Sequence, residues 1–339
     1  MKSISIIVVN WRGWRDTLVC LESLRKLNYA GLIAIIVCDN ASGDESFDQI
    51  LTWAQQHYAP SEIGVFTPTP FTPSLWESKG QPKKWGKFLP FVLIQTGANL
   101  GFAGGNNVGI RYALTNQQNE YLWLLNNDTI ADAHSVSALY HHAQAHPHLA
   151  LVGSTIVDYY QNDTVQCAGG CSYSPHLTIF RQIMNGQPLT QVMQHNENIK
   201  LDYVYGAAMF LKVSAVQQIG LLNEEYFLFY EELDYTQRLK QHGYQIGWCK
   251  NSLVYHKGSA SVGNVREGRR DKLRQANYYE NLSTLKYTAN FHYWLLPMVM
   301  IVRLVGKSLA LISRGDFYLF QPLFQAYRDF IFGKKKAKS

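Results

Sequence analysis

The stretch "YLWLLNNDTIAD", residues 121–132, decides how the rest of the chain is read. Tyr121 to Leu125 is almost wholly apolar and runs directly into Asn126, Asn127 and Asp128. A short apolar run bounded by turn residues reads as a buried strand. Its polar end has two explanations: Asn and Asp are ordinary turn residues, or the strand end is one wall of a site. In a doubly wound sheet the C-terminal ends of parallel strands open on the crevice where ligands bind.

The same pattern occurs upstream. "ISIIVVN" (4–10) is β-branched and ends at Asn10, and "GLIAIIVCDNAS" (31–42) ends in Asp39 and Asn40. Between them, Leu18, Leu21 and Leu24 recur at helical spacing in "DTLVCLESLRKLN" (16–28), and "FDQILTWAQQH" (47–57) reads as a second helix. Strand, helix, strand, helix argues for a parallel sheet covered by helices. Downstream, "FVLIQT" (91–96) resumes the sheet and "NLGFAGGNNVGIRYAL" (99–114) is a glycine-rich turn entering a helix. A helix (135–146), a strand (149–158), a strand turning into a short helix (203–220), a helix (231–244) and a last strand with a small-residue loop (245–261) follow. Residues 159–200 are expected to be irregular, and residues 58–90, with six of the 11 prolines, an inserted loop or flap. Three polar strand ends in one parallel sheet favour one shared site over three separate turns.

With 47% apolar and 17% charged residues, the 339-residue chain can bury a sizeable core and is not of the disordered type. A net charge of +6 suits an anionic ligand or membrane surface, and no nucleic-acid partner is expected. The five cysteines are odd in number, and the Cys167/Cys171 pair lacks a second pair, so structural zinc is not expected there. Reduced thiols suit the cytosol. "MKSISIIVVNWRG" lacks a signal peptide's long apolar core and is read as the first strand.

"VVNWRG", "CDNASGD", "NLGFAGGNNVGI", "WLLNNDT" and "YFLFYEELDYTQRLKQHGY" occur in the order seen in family 2 glycosyltransferases. Over roughly residues 3–285 the chain resembles, more narrowly, the bacterial rhamnosyltransferase-type members that build cell-surface polysaccharide. The resemblance implies an α/β GT-A fold, a Rossmann-like mixed sheet covered by helices. It also implies inverting transfer of a sugar from a nucleotide-diphosphate donor to an acceptor hydroxyl, with Mg²⁺ or Mn²⁺. By the same resemblance Asp39 accepts from N3–H of a uracil or thymine base, Asn40 and Asp44 shape that turn, and Asn10 lies near base or ribose. Gly101, Gly104 and Gly105 are expected to let the backbone approach the donor, with Asn99 and Asn107 as further donor-binding candidates. Asn126, Asn127 and Asp128 occupy the family's DxD place, where carboxylates hold the cation; Asn126 departs from the strict motif, and Asp128 is the expected metal ligand. His256 in "VYHKGSAS" resembles the histidine that helps hold metal or diphosphate.

Inverting transfer needs a base for the acceptor proton. "YEELDYTQR" offers Glu231, Glu232 and Asp234. The family pattern is Glu-Asp with a further Asp two residues on, and its second acidic residue, the base, aligns with Glu232, a Glu standing for Asp. Glu231 stays a candidate.

The catalytic domain is expected to span residues 1–285 and a C-terminal helical segment residues 286–339. "FHYWLLPMVMIVRLVGKSLALISRGDFYLFQPLF" (291–324) is apolar and aromatic with spaced cations; Pro297 and Arg303 interrupt it. It reads as an interfacial helix with Arg303, Lys307 and Arg314 toward headgroups and the Lys334, Lys335, Lys336 and Lys338 tail on anionic lipid. The alternative is a helical pair packing on the catalytic domain or on a second subunit. The resulting expectation is a cytoplasmic enzyme peripheral to the inner membrane, adding rhamnose from dTDP-rhamnose to a lipid-linked oligosaccharide. Rivals are a sugar-phosphate nucleotidylyltransferase, which would want a glycine-rich basic loop after the first strand, and a non-catalytic scaffold with a decayed site.

Overall fold

A computed structural model describes residues 3–67, 88–258 and 269–333. The first half alternates as expected: β1 (Ser3–Asn10), α1 (Trp14–Leu24), β2 (Leu32–Asp39), α2 (Ser46–His57), β3 (Ile63–Phe66), β4 (Phe91–Gln95), α3 (Gly101–Ala113), β5 (Asn119–Asn126), β6 (Thr129–Ala131) and α4 (Ser135–Ala145). The second half runs β7 (Leu149–Asp158), β8 (Val165–Ala168), β9 (Gly170–Ser174), β10 (Ile179–Gln182), α5 (Leu189–Val192), β11 (Tyr203–Val204), β12 (Ala208–Lys212), α6 (Val213–Ile219), α7 (Glu231–Gln241) and β13 (Gln245–His256). Helices α8 (Arg269–Phe291), α9 (Leu296–Arg314) and α10 (Phe320–Phe332) close the described chain.

The main sheet is mixed, in the order β3-β4-β2-β1-β5-β12-β7-β13-β6, with β8 added to β7. Strands β3, β4, β2, β1 and β5 are parallel, and β12 enters antiparallel between β5 and β7. Alternation along each strand explains the two covering layers. Ile4, Ile6 and Val8 of β1, with Ile35 and Val37 of β2, meet α1, α2 and α4 through Leu21, Trp53 and Leu139. Ile7, Ile36 and Leu124 face the other way, onto Ala103 and Ile110 of α3 and Val216 of α6. Each such fully buried aliphatic contributes about 1.5–3 kcal/mol. Leaving β1, the chain goes first to β2 on one side and only later to β5 on the other. The sheet therefore reverses its winding where Asn10, Asp39 and Asn126 end their strands.

Three expectations need correction. Residues 159–200 are not irregular: β9 pairs antiparallel with β10 and β11 in a second, three-stranded sheet, and β8 joins the main one. Strands of two to five residues carry too little period to be seen in sequence. Residues 58–90 are not wholly a loop: Pro60–Glu62 forms a 3-10 turn and β3 pairs with β4 at the sheet edge, where prolines nearby cost no ladder bond; the remainder of that segment, residues 68–87, lies outside the described residues. Third, Arg303 and Lys307 do not reach outward. Arg303, 8% exposed, donates to Glu280 Oε1 (2.8 Å), Asn281 Oδ1 (2.9 Å) and Thr178 Oγ1 (2.9 Å), and Lys307 donates to the same Glu280 oxygen (2.8 Å). Burial works to raise the Glu280 carboxyl, but the two cations outweigh it and hold the group below its ordinary value. Arg314 is exposed, and the Lys334–Lys338 tail lies outside the described residues.

The boundary at 285/286 falls inside α8, a continuous helix. Its side chains brace the loop ahead of α7: Ser283 donates to the Leu228 carbonyl (2.9 Å), Thr284 to Tyr230 Oη (3.1 Å), and Lys286 to the Glu225 carbonyl (2.9 Å). Tyr293–Arg314 is long and apolar enough to cross a membrane by length and composition, with 17% of its most apolar window buried.

Candidate functional site

The three polar strand ends form one hydrogen-bonded chain. Asn10 Nδ2 donates to Asp39 Oδ1 (2.8 Å) and Ser42 Oγ (3.1 Å), and Ser42 Oγ donates to the same Asp39 oxygen (2.5 Å). Thr17 Oγ1 donates to Asn10 Oδ1 (2.8 Å), and Asn127 Nδ2 donates to Thr17 Oγ1 (3.0 Å). The network thus runs from β2 through β1 to the turn after β5. Asp39 is 1% exposed, and among the described residues its Oδ2 accepts only the longer bond from the Ser42 amide (3.3 Å), which leaves that oxygen acceptor capacity.

Asp128 and His256 meet because β6 pairs antiparallel with β13, setting Thr129 opposite His256. His256 Nε2 lies 3.3 Å from Asp128 Oδ1, yet among the described residues that buried oxygen makes no hydrogen bond of proper geometry. The other ring nitrogen explains this. Gln166 Nε2 donates to Asp158 Oδ2 (3.0 Å) and to the His256 carbonyl (2.9 Å), which turns Gln166 Oε1 toward His256 Nδ1 (3.0 Å). With Nδ1 donating to Gln166, the neutral ring turns its Nε2 lone pair toward a carboxylate oxygen. Two acceptors aimed at one another, with an oriented partner behind the imidazole, are what a divalent cation requires. Lys257 closes this side: its amide donates to the Asp128 carbonyl (3.0 Å) and its ammonium to Asp16 Oδ1 (2.5 Å).

The acidic start of α7 faces the same mouth. A side chain at Gly206 would meet Glu232 Oε1 at 3.5 Å, and the next residue, Ala207, accepts from the Asn126 amide (3.0 Å). Tyr205, beside Gly206, turns its ring edge-on to His256 at 6.1 Å. Glu232 Oε2 is buried without a hydrogen bond among the described residues, and burial raises its carboxyl to about 7. Glu231 is 4% exposed; burial first, then the Glu232 charge, raises it well above the ordinary value. Asp234 is otherwise employed: Arg238 Nε donates to it at 2.6 Å, and Arg238 also ties the Ile219 and Leu221 carbonyls. Its lone pairs serve a part-buried ion pair with a cation on the same helix. Phe229 and Tyr230, immediately before Glu231, both hold positive φ (67° and 73°), as do Arg12 (54°) after β1 and Ala41 (52°) after β2. Non-glycine backbone in this region costs about 1–3 kcal/mol per residue, and here it lines the mouth.

Other candidates also make contacts within the protein. Gly101 has φ +71°, and a Cβ there would lie 2.1 Å from the Phe227 carbonyl oxygen; at Gly105 it would lie 2.9 Å from Val9 Cγ1. The room that these glycines make is taken by protein, so the glycine run seats α3 on the sheet. Gly104 likewise meets Leu100 at 2.6 Å. Asn40 donates to Asn99 Oδ1 (3.1 Å) and the Gly101 carbonyl (2.9 Å), while Asn107 grips Leu222 through both amide atoms and reaches Glu224 (2.8 Å). Asp44 accepts from the Ser46 amide (2.9 Å) at the start of α2. Asn40, Asn99, Asn107 and Asp44 therefore build the walls. Thr17, Ser42, Gln166 and Gly206 were not singled out from sequence; only Ser42, inside "CDNASGD", lay within a quoted strand-end motif.

A model of the family described as "Glycosyltransferase like family 2" matches residues 91–277, more than half of the chain. The low-salt glycan biosynthesis hexosyltransferase Agl10 of Haloferax volcanii is 29% identical over 173 residues, 51% of this chain and 54% of that protein. The chain thus spans about half the length of the curated relative it matches. Among solved structures, a mannosyltransferase from Pyrobaculum calidifontis in complex with GDP-Man and Mn²⁺ is similar (TM-score 0.51, 13% identity, 98% of this chain and 88% of that one). So is S. aureus TarS 1–349 in complex with UDP-GlcNAc (TM-score 0.52, 13% identity, 98% and 81%). GalNAc-T7 with UDP, GalNAc and Mn²⁺ gives a TM-score of 0.55 at 10% identity over 89% of this chain and 55% of that one. At such identities these likenesses speak for the fold.

Proposed function

Because the chain belongs to the family 2-like glycosyltransferases, we propose that it transfers a sugar from a nucleotide-diphosphate donor to an acceptor hydroxyl, with inversion, at the reversal of the main sheet. The observation that carries this reading is the Asp128–His256 pair, two acceptor atoms 3.3 Å apart at the mouth that also holds Glu232. Asp39 Oδ2 keeps acceptor capacity for the N3–H of a uracil or thymine. Asp128 and His256 are the residues that would hold Mg²⁺ or Mn²⁺, which would offset the charge growing on the leaving diphosphate. Gln166 and Asp158 keep His256 in the tautomer that this requires. The acceptor oxygen forms its bond to the anomeric carbon as the carbon–diphosphate bond breaks, and Glu232 takes the hydroxyl proton. A carboxyl raised to about 7 is matched to that task at neutral pH. Glu231, 4% exposed and raised by burial, is the second candidate for that role.

The finer reading is rhamnose from dTDP-rhamnose, delivered to a lipid-linked glycan at the cytoplasmic face of the membrane. It rests on the narrower resemblance of the sequence motifs and on α9. Met298, Ile301, Val302, Val305, Leu309 and Ile312 expose one apolar stripe at helical spacing, while Val299, Arg303 and Leu311 pack inward. With Arg303 anchored to Glu280, the helix lies on a membrane rather than through it, and the Lys-rich tail after α10 adds charge for anionic lipid.

Release of nucleotide diphosphate from a panel of sugar donors, with and without a lipid-linked acceptor, tests the transfer; no acceptor-dependent release from any donor refutes it. Flotation with anionic and neutral vesicles tests the docking. Binding to anionic vesicles that is lost on trimming residues 293–339 is expected. Soluble dimers with no flotation would give the stripe to a second copy instead.

A further inference from the structure

A second group of ligand atoms converges elsewhere in the fold. His142 in the last turns of α4, Glu197 in the segment after α5, and Cys249 on β13 each present one ligand atom, and all three lie within 4.8 Å of one another. Among the described residues no other three His, Cys, Asp or Glu side chains converge in this way. His142 Nδ1 is 3.6 Å from Glu197 Oε2, too long for a hydrogen bond but close to the roughly 3.3–3.8 Å that separates two ligands of one tetrahedral zinc ion. The carboxylate is pre-oriented: the Lys250 amide donates to Glu197 Oε1 at 2.7 Å, which leaves Oε2 for the cluster. The thiol is aimed by a break in the β13 register between Cys249 and Leu253, and the amides of Asn251 and Ser252 lie against its sulfur, where they favour thiolate.

We propose that His142, Glu197 and Cys249 form a divalent transition-metal site, separate from Asp128 and His256, that takes Zn²⁺ with a water as fourth ligand. Mixed nitrogen, oxygen and sulfur donors select zinc-like ions over Mg²⁺, which keeps to oxygen. Zinc takes the thiolate, so binding releases the Cys249 proton. Lys250 Nζ already ties the Met193 and His195 carbonyls to β13, at 3.1 Å each. The ion would clamp α4 and this segment onto the strand that ends at His256. The site does not depend on the proposed transfer.

The test uses full-length, tag-free protein stripped with chelator and titrated with Co²⁺ and then Zn²⁺. One equivalent of Co²⁺ is expected to give sulfur-to-cobalt charge-transfer absorption that Zn²⁺ displaces. It should persist in Asp128→Ala and vanish in Cys249→Ser. Zinc should raise the melting temperature of the wild type. Because Cys249 is buried and its replacement can impair folding, the half-buried Glu197→Gln serves as the second variant, with zinc affinity expected to fall at least about tenfold. Absence of the charge-transfer band in the wild type, its survival in Cys249→Ser, or unchanged zinc affinity in Glu197→Gln would each overturn the site.

Discussion

Replacing Glu232 with Gln separates a catalytic carboxylate from a structural one by moving activity and stability in opposite directions. The change keeps shape and removes the ionised form. A positioned general base contributes about 10²–10⁴-fold in rate, or about 2.7–5.4 kcal/mol of barrier. Transfer by Glu232→Gln should fall by that factor, while nucleotide binding, proposed to rest on Asp39 and Asp128, stays near wild type. Stability should rise. Burial lifts the Glu232 carboxyl from 4.5 to about 7. A carboxyl whose folded value is raised favours the fold fully below the unfolded value and loses that favour as pH rises through the folded one. Above pH 7 the wild type therefore carries a penalty of about 1–3 kcal/mol after discounting for partial exposure. The Gln variant lacks it, so it should melt a few degrees higher at pH 8 and equally at pH 4. Wild-type activity itself should climb about tenfold per pH unit below 7 and level off above. Calorimetric melting at both pH values, beside donor-turnover assays, gives the answer. Wild-type-like turnover, or a variant less stable at pH 8, would refute the argument.

Gln166→Leu should release the His256 tautomer and weaken Mn²⁺ binding about 10–100-fold, read by titration calorimetry. Gly101→Ala forces a Cβ to 2.1 Å from the Phe227 carbonyl oxygen at φ +71°, and should cost about 2–5 kcal/mol in denaturant unfolding. Arg303→Ala should cost about 3 kcal/mol, the low end for a broken buried pair, because Lys307 stays on Glu280. The depressed Glu280 carboxyl contributes its stability above 4.5 and loses it as pH falls through the lower folded value, so acid should melt the wild-type C-terminal helices earlier and the Arg303 variant less so.

The parallel half of the sheet was legible because β1, β2 and β5 are long, β-branched or apolar, and end on Asn or Asp, while α1 and α2 carry a clean 3.6-residue stripe. The second sheet was not, since β9, β10 and β11 are short and their pairing is set by distant partners. Asp128 and His256 could be singled out, but their contact needs the β6–β13 register, which no local pattern encodes. Gln166 had no signal at all, because an amide matters here only for the two acceptors that orient it. Arg303 misled: a cation on an apolar helix looks like a headgroup contact until Glu280, on another helix, is placed beside it. The glycines of α3 were recognised as close-approach positions, and a Cβ at Gly101 or Gly105 would meet Phe227 or Val9, partners that no local pattern names.

In the proposed reaction the strand ends Asn10, Asp39 and Asn126–Asp128 hold a nucleotide diphosphate through a cation on Asp128 and His256. Calorimetric titration with UDP, dTDP and GDP, each with and without Mn²⁺, tests it most directly. Metal-dependent binding of one pyrimidine diphosphate, abolished in Asp128→Ala and retained in Glu232→Gln, is the expected result. Metal-independent binding, or binding that survives Asp128→Ala, would contradict it.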